Sequence, residues 1–153
     1  IDETPLQLPL AAEGEEIVFD YAALGLTLRR HPLALLREQL RRRRLQTARE
    51  MHDLPHGRRV RACGIVTGRQ QPQTANGTIF VSLEDESGVV NVIVWRRVQQ
   101  RFRRELLHSR LLAVHGEWQR EGEVRHLVAQ RLEDLTPLLG RLADAGLHSR
   151  DFH

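Results

Sequence analysis

The sequence predicts a mainly β fold with a helical N-terminal extension: a small five-stranded Greek-key barrel with one helix between its third and fourth strands. Three observations carry this expectation. The stretch Thr78–Trp95, TIFVSLEDESGVVNVIVW, holds two β-rich alternating runs around a Gly-containing turn. The run Arg96–Leu107 then switches to helical spacing. Two further runs, Arg110–Trp118 and Glu123–Leu132, return to strand patterning across Glu121-Gly122.

Taken in order, residues 1–16 combine acids with Pro5, Pro9 and Gly14 and read as a flexible acidic arm. Residues 17–57 read as a helical linker region. Ile17, Val18, Phe19, Tyr21, Leu24 and Leu26 mark a docking segment, helical or irregular. Pro32 suits a first helical position, where its missing N–H has no partner to lose. Leu33, Leu36 and Leu40 follow at helical spacing, with Arg37, Arg41 and Arg44 on a more polar face. Thr47–Leu54 reads as a second short helix, stopped by Pro55-His56-Gly57.

Residues 58–136 form the predicted barrel. Arg59–Gly68 is its first strand, with Gly64 marking a bulge or bend. Arg69–Gly77 is a polar loop closing on an Asn-Gly turn. In the hairpin, Ile79, Val81 and Leu83 share one face and Phe80 lies on the other; Val90, Val92 and Val94 alternate in the partner run. The helical stripe Val98–Phe102–Leu106 plugs one barrel end. Pro137 and two later glycines lead into a C-terminal tail, 137–153. Three strands, a helix and two strands match the oligonucleotide/oligosaccharide-binding (OB) barrel, whose second and third strands and flanking loops form the ligand face.

A chain of 153 residues supports one domain with an attached arm. Its net charge is +3, unevenly spread: residues 1–28 carry six acids and no Arg, whereas 29–61 carry eleven Arg against three acids. An acidic arm beside a polyanion-facing segment follows from that asymmetry. All 23 basic residues are Arg, which codon usage in a GC-rich genome explains. Cys63 is the sole cysteine, so it forms no intrachain disulfide and fits a reducing cytosol as a buried spectator. No apolar run is long enough for a membrane span, and no secretory leader is visible, so a cytoplasmic location without a membrane partner is expected.

No active site or cofactor is expected in this chain. The eight histidines are scattered, and Pro55 separates His52 from His56 on any continuous helix. Glu84-Asp85-Glu86 falls in a hairpin turn, where solvent exposure is expected. A binding constellation is better supported. Phe80 and Trp95 offer stacking surfaces, Asn91 an amide, and Arg69 and Arg120 loop cations. Arg41, Arg42, Arg43 and Arg44 extend a basic track or form a solvated helix end. Aromatic platforms beside cations suit single-stranded DNA, whose bases stack while its phosphates need positive charge. The alternative places Phe80 and Trp95 in core or interdomain packing; Trp118 is assigned to the core.

RACGIVTGRQQPQTANGTIFVSLEDESGVVNVIVW and LLAVHGEWQREGEVRHLVAQRLEDL resemble the C-terminal nucleic-acid-binding barrel of bacterial DNA polymerase III alpha subunits. NVIVW, HLVAQRLEDL and the terminal SRDFH resemble the error-prone, damage-inducible branch used in translesion synthesis. YAALGLTLRRHPLALLR resembles the segment joining the helix-hairpin-helix region to that barrel. The resemblance implies a non-catalytic fragment of a DNA-directed DNA polymerase, whose carboxylates and magnesium ions lie in an upstream palm domain. It also implies either a grip on single-stranded template or docking of accessory mutagenesis proteins. Gln7, Leu8, Pro9 and Leu10 resemble a sliding-clamp-binding peptide, but Ala11 stands where an aromatic is usual. An anticodon-binding barrel of a tRNA synthetase shares the fold and is disfavoured by the approach segment and the terminal phrase.

Overall fold

Alternating apolar positions close five strands on themselves. The computed structural model describes residues 31–73 and 76–150, with backbone alone for 145–150. The strands are β1 (Arg59–Gln70), β2 (Ile79–Asp85), β3 (Gly88–Val94), β4 (Leu111–Glu121) and β5 (Val124–Asp134). They form a closed barrel in the order β1-β2-β3-β5-β4. β3 runs parallel to β5, Val92 opposite Leu127, and the other pairings are antiparallel. Ile79, Val81 and Leu83 meet Val94, Val92 and Val90 across the hairpin, all pointing inward as the alternation predicts. The expected OB barrel is therefore the fold, and its closure removes free sheet edges.

Helices plug both barrel ends. α1 (Pro32–Arg42) and α2 (Ala48–His52) precede the barrel; α3 (Arg96–Arg101) and α4 (Arg103–His108) lie between β3 and β4. α2 starts at a capping box formed by Thr47 and Glu50, and it inserts Ala48 and Met51 beside the hairpin turn. At the opposite end, Val98 and Leu106 are buried with Phe102 packed against the same core. The predicted single helix is thus two. Phe102 leaves helical geometry at φ −117°, ψ 38°, yet its N–H still bonds Val98 and its carbonyl accepts from Leu106. The apolar stripe survives the break because those two bonds hold its pitch.

A second apolar layer lies outside the barrel. His31 caps α1 by accepting the Leu33 N–H, and Leu33, Leu36 and Leu40 are buried. They pack with Leu138 and Leu139 over Cys63, Ile65, Leu111 and Ala113 on the outer faces of β1 and β4. Leu138 and Leu139 belong to α5 (Thr136–Arg150), which corrects the expected tail at 137–153. Pro137 sits in the first turn of that helix, where proline is tolerated. The Thr136 hydroxyl accepts from the N–H groups of Arg110 and Leu111 and so fastens α5 to β4.

Two local expectations also change. The irregularity in β1 falls between Val66 and Gly68, not at Gly64. Gly64 is needed for close approach: a Cβ there would stand 2.9 Å from the backbone N and O of Glu84, where β1 passes from β4 to β2. The acidic run at 84–86 is solvated only in part. Asp85 is only 5% exposed, and its carboxylate accepts from Ala48 N–H, Ser87 N–H, Ser87 Oγ and Gly88 N–H. Glu86 receives a two-pronged bond from Arg37, at 2.7 Å for each contact. Arg37 is therefore a half-buried strut between α1 and the hairpin turn rather than part of an open polar face.

Candidate nucleic-acid interface

The outer face of β2 and β3 is set by strand parity. Phe80 stands opposite Ile93, Ser82 opposite Asn91, and Glu84 opposite Val89. Gln70 of β1 flanks Phe80 on one side, and Val128 of β5 flanks Ile93 on the other. Phe80 is half-buried in this row, whereas Asn91 is exposed. Just past β3, Trp95 is 51% exposed, and its carbonyl caps α3 by accepting from Val98 and Gln99. An apolar strip with an open indole at one end and amides along it can receive stacked bases.

The loop beside Trp95 is anchored from below. Asn76 and Gly77 have φ of 50° and 82°, the left-handed pair expected of an Asn-Gly turn. The buried Gln99 amide donates to the carbonyls of Gly77 and Val94, at 2.6 and 2.8 Å, tying that turn to the end of β3. The Arg96 guanidinium lies against Gly77, where a Cβ would stand 2.5 Å from Nη2.

Arg69 does not open this loop. It lies within β1 and is only 7% exposed; its guanidinium donates to the carbonyls of Leu106 and Ser109, at 2.8 and 2.6 Å. Those are orphan carbonyls at the C-terminus of α4, so the arginine satisfies a helix end. Burial also pushes its pKa down from the ordinary arginine value.

Arg120 is half-buried near the β4–β5 turn, opposite Arg125, and its backbone N–H donates to His56 Nδ1. The Arg125 guanidinium holds the carbonyls of His52 and Glu123. A cleft of about 190 Å³ beside α2 is lined by Asn91, Arg125 and Trp118. Trp118 is core, at 4% exposure, and its buried indole N–H has no hydrogen-bond partner among the described residues.

The four consecutive arginines have different surroundings. α1 ends at Arg42, and Arg44 turns away at φ 65°. Arg41 pairs with Glu50, Arg42 with Glu38 and Arg43 with Glu133, at 3.1, 3.7 and 3.8 Å. The residues Gln7, Leu8, Pro9 and Leu10 lie outside the described residues. Among the described residues no helix is long and apolar enough to cross a membrane.

Ile93 and Val128 were absent from the expected site. Alternation in Val89–Trp95 places Ile93 beside Asn91 and Trp95, so it was legible; Val128 reaches the row only through the β3–β5 pairing.

A closed five-stranded barrel, helix-plugged and with an aromatic outer face on β2–β3, defines the class. The chain belongs to the family of OB-fold nucleic acid binding domains, which matches residues 51–135. Its curated relatives are more specific. It is 60% identical over 151 residues to the error-prone DNA polymerase of Ralstonia nicotianae, covering 99% of this chain and 14% of that protein. It is 56% identical over 153 residues to the error-prone DNA polymerase of Bordetella parapertussis, covering 99% of this chain and 14% of that protein. The chain therefore spans a small part of the relatives it matches. Among solved structures, asparaginyl-tRNA synthetase from Pyrococcus horikoshii, complexed with asparaginyl-adenylate, aligns with a TM-score of 0.50 at 19% identity, over 60% of this chain and 22% of that one. That likeness is one of fold alone.

Proposed function

We propose that this chain is a non-catalytic, C-terminal part of a cytoplasmic error-prone DNA polymerase acting in translesion synthesis at damaged DNA. Its barrel holds single-stranded template on the β2–β3 face. The observation that carries this reading is the half-exposed Trp95 at the end of the Phe80–Ile93 row, on a barrel whose relatives are named error-prone DNA polymerases. Template bases stack on Phe80 and Trp95 while Asn91 offers hydrogen bonds. Arg120 supplies positive charge at the far end. Binding is weak, tolerant of sequence and salt-dependent, as backbone-and-stacking recognition requires.

Fluorescence anisotropy with labelled single-stranded and duplex oligonucleotides at several salt concentrations tests this. Trp95→Ala and Phe80→Ala should each weaken single-strand binding by about 1–3 kcal/mol. Trp95→Ala should leave the melting temperature nearly unchanged. Salt-independent affinity, or no binding at low salt, would overturn the reading.

A second reading has one observation in its favour. The outward positions of β2 and β3 carry Glu84 and no arginine, and Val89 is more than half exposed. Such a face suits a protein partner, and the sliding clamp or an accessory mutagenesis protein fits that role. Trp95→Ala that abolishes capture of the clamp while sparing DNA affinity would favour it.

A further inference from the structure

On the far side of the barrel, β1 and β4 present four outward rows. Two of them, Cys63 with Ala113 and Ile65 with Leu111, are apolar and covered by α1 and α5. The other two, Arg59 with Glu117 and Arg61 with His115, remain uncovered. Arg59, Arg61 and His115 line a groove of about 320 Å³ together with Arg44 and Gln130. The backbone builds this groove deliberately. Gln46 bridges to β1, donating its backbone N–H to the Arg61 carbonyl at 2.7 Å while its side-chain Oε1 accepts the Arg61 N–H, next to the left-handed Arg44 at the rim. A β-bulge shifts the register from His115↔Arg131 to Gly116↔Ala129 and leaves Gln130 as the extra residue. Gln130 and Arg131 are therefore both exposed between the buried Ala129 and Leu132. Gly116 permits the bulge, since a Cβ there would overlap the carbonyl oxygen of Val128.

The charges in this groove differ from those around it. Arg37, Arg41, Arg42 and Arg43 each pair with a carboxylate. Arg44, Arg59, Arg61 and Arg131 have no ion pair within 4.0 Å among the described residues. Two carboxylates stand near. Glu133 is engaged by Arg43, and Glu117, opposite Arg59, makes no ion pair among the described residues. Burial and then the positive charges of Arg61 and Arg131 push His115 below its ordinary pKa, against a smaller opposing pull from Glu133. A cluster of like charges around a recess raises the local concentration of anions and favours a polyanion there.

We propose that this groove is a second phosphate site, which binds the phosphodiester backbone of nucleic acid away from the β2–β3 face. β4 pairs with neither β2 nor β3 in the closed barrel, and the half of β1 that carries Arg59 and Arg61 pairs with β4, so the groove stands apart from the β2–β3 face. The occupant is a separate stretch of the DNA, held by charge without reading bases. The inference does not rest on stacking at Phe80 and Trp95 and survives if that face binds protein.

The test compares two triple variants of equal charge change, measured as the slope of log affinity against log salt for single-stranded and duplex oligonucleotides. Arg44→Gln/Arg59→Gln/Arg61→Gln should lower the slope by about 2 for a single strand and about 2.7 for duplex. Arg41→Gln/Arg42→Gln/Arg43→Gln, whose arginines already have partners, should lower it by less than about 1. Equal losses in both triples, or none in either, overturn the proposal. Loss of binding to a poly-Glu peptide with unchanged DNA slopes also overturns it, in favour of an acidic protein partner. Saturation by inorganic phosphate as tight as by a ten-nucleotide strand would overturn it in favour of a small-anion site. In the unsubstituted chain, NMR titration of His115 provides a check independent of folding. Its pKa should rise when an oligonucleotide binds, because phosphate offsets Arg61 and Arg131, and an unmoved pKa counts against the site.

Discussion

Replacing Asp85 with Ala should cost this small barrel a large part of its stability. The carboxylate accepts four hydrogen bonds between 2.7 and 3.0 Å. Three of them close the β2–β3 turn at Ser87 and Gly88, where water can substitute in part. The fourth holds the first N–H of α2 in a buried setting. An unsatisfied buried donor costs about 1–3 kcal/mol, and each lost bond to a charged group about 1.5–3 kcal/mol before water compensates. These effects share one acceptor and do not add, so a net loss of about 3–4 kcal/mol is expected. For a chain of this size that lowers the melting temperature by about 10 °C. Arg37 keeps its Glu86 partner, so the damage should centre on α2 and the Met51 plug. Asp85→Asn retains one acceptor oxygen and should cost about half as much. Urea unfolding followed by tryptophan fluorescence measures the difference, with Trp118 in the core as reporter. A loss under about 1 kcal/mol at unchanged m would refute the reasoning, because the Ala48 N–H would then have found another partner.

Arg69→Ala should destabilise the fold by about 2–4 kcal/mol, since it strips two carbonyls at the end of α4 of their donor. Single-strand affinity per folded molecule should stay unchanged in an anisotropy titration; a selective loss of affinity would return Arg69 to the binding surface. Burial holds the Cys63 thiol at a pKa of about 12, so a thiol reagent at pH 8 should label it only as fast as the chain opens. Above about pH 8.5 the unfolded thiol ionises while the folded one keeps its proton. Stability should therefore fall with rising pH toward pH 12, and Cys63→Ala should flatten that part of the profile.

The barrel was legible in the sequence because strand parity is a local property. Ile79, Val81 and Leu83 alternate with Phe80 and Ser82, and one-sided burial leaves no second register for them. The same parity placed Phe80, Asn91 and Trp95 on the outer side. Helix spacing likewise announced Leu33, Leu36 and Leu40. The partner of each charged side chain was decided only in three dimensions. Arg69 looks like a loop cation until the end of α4 is brought against it, 37 and 40 residues later in the chain. Asp85 looks like a turn acid until α2 offers its N–H from 37 residues away. Arg41 to Arg43 find carboxylates on three different elements, while Arg44, one residue on, finds none among the described residues. The groove around Arg61 depends on a bulge that sets Gln130 and Arg131 on one side, and a bulge interrupts the period from which a sequence reading counts. Apolar periodicity is written along the chain, because each residue need only know its own face. Electrostatic pairing joins residues far apart in sequence, so only the closed barrel and its packed helices settle it.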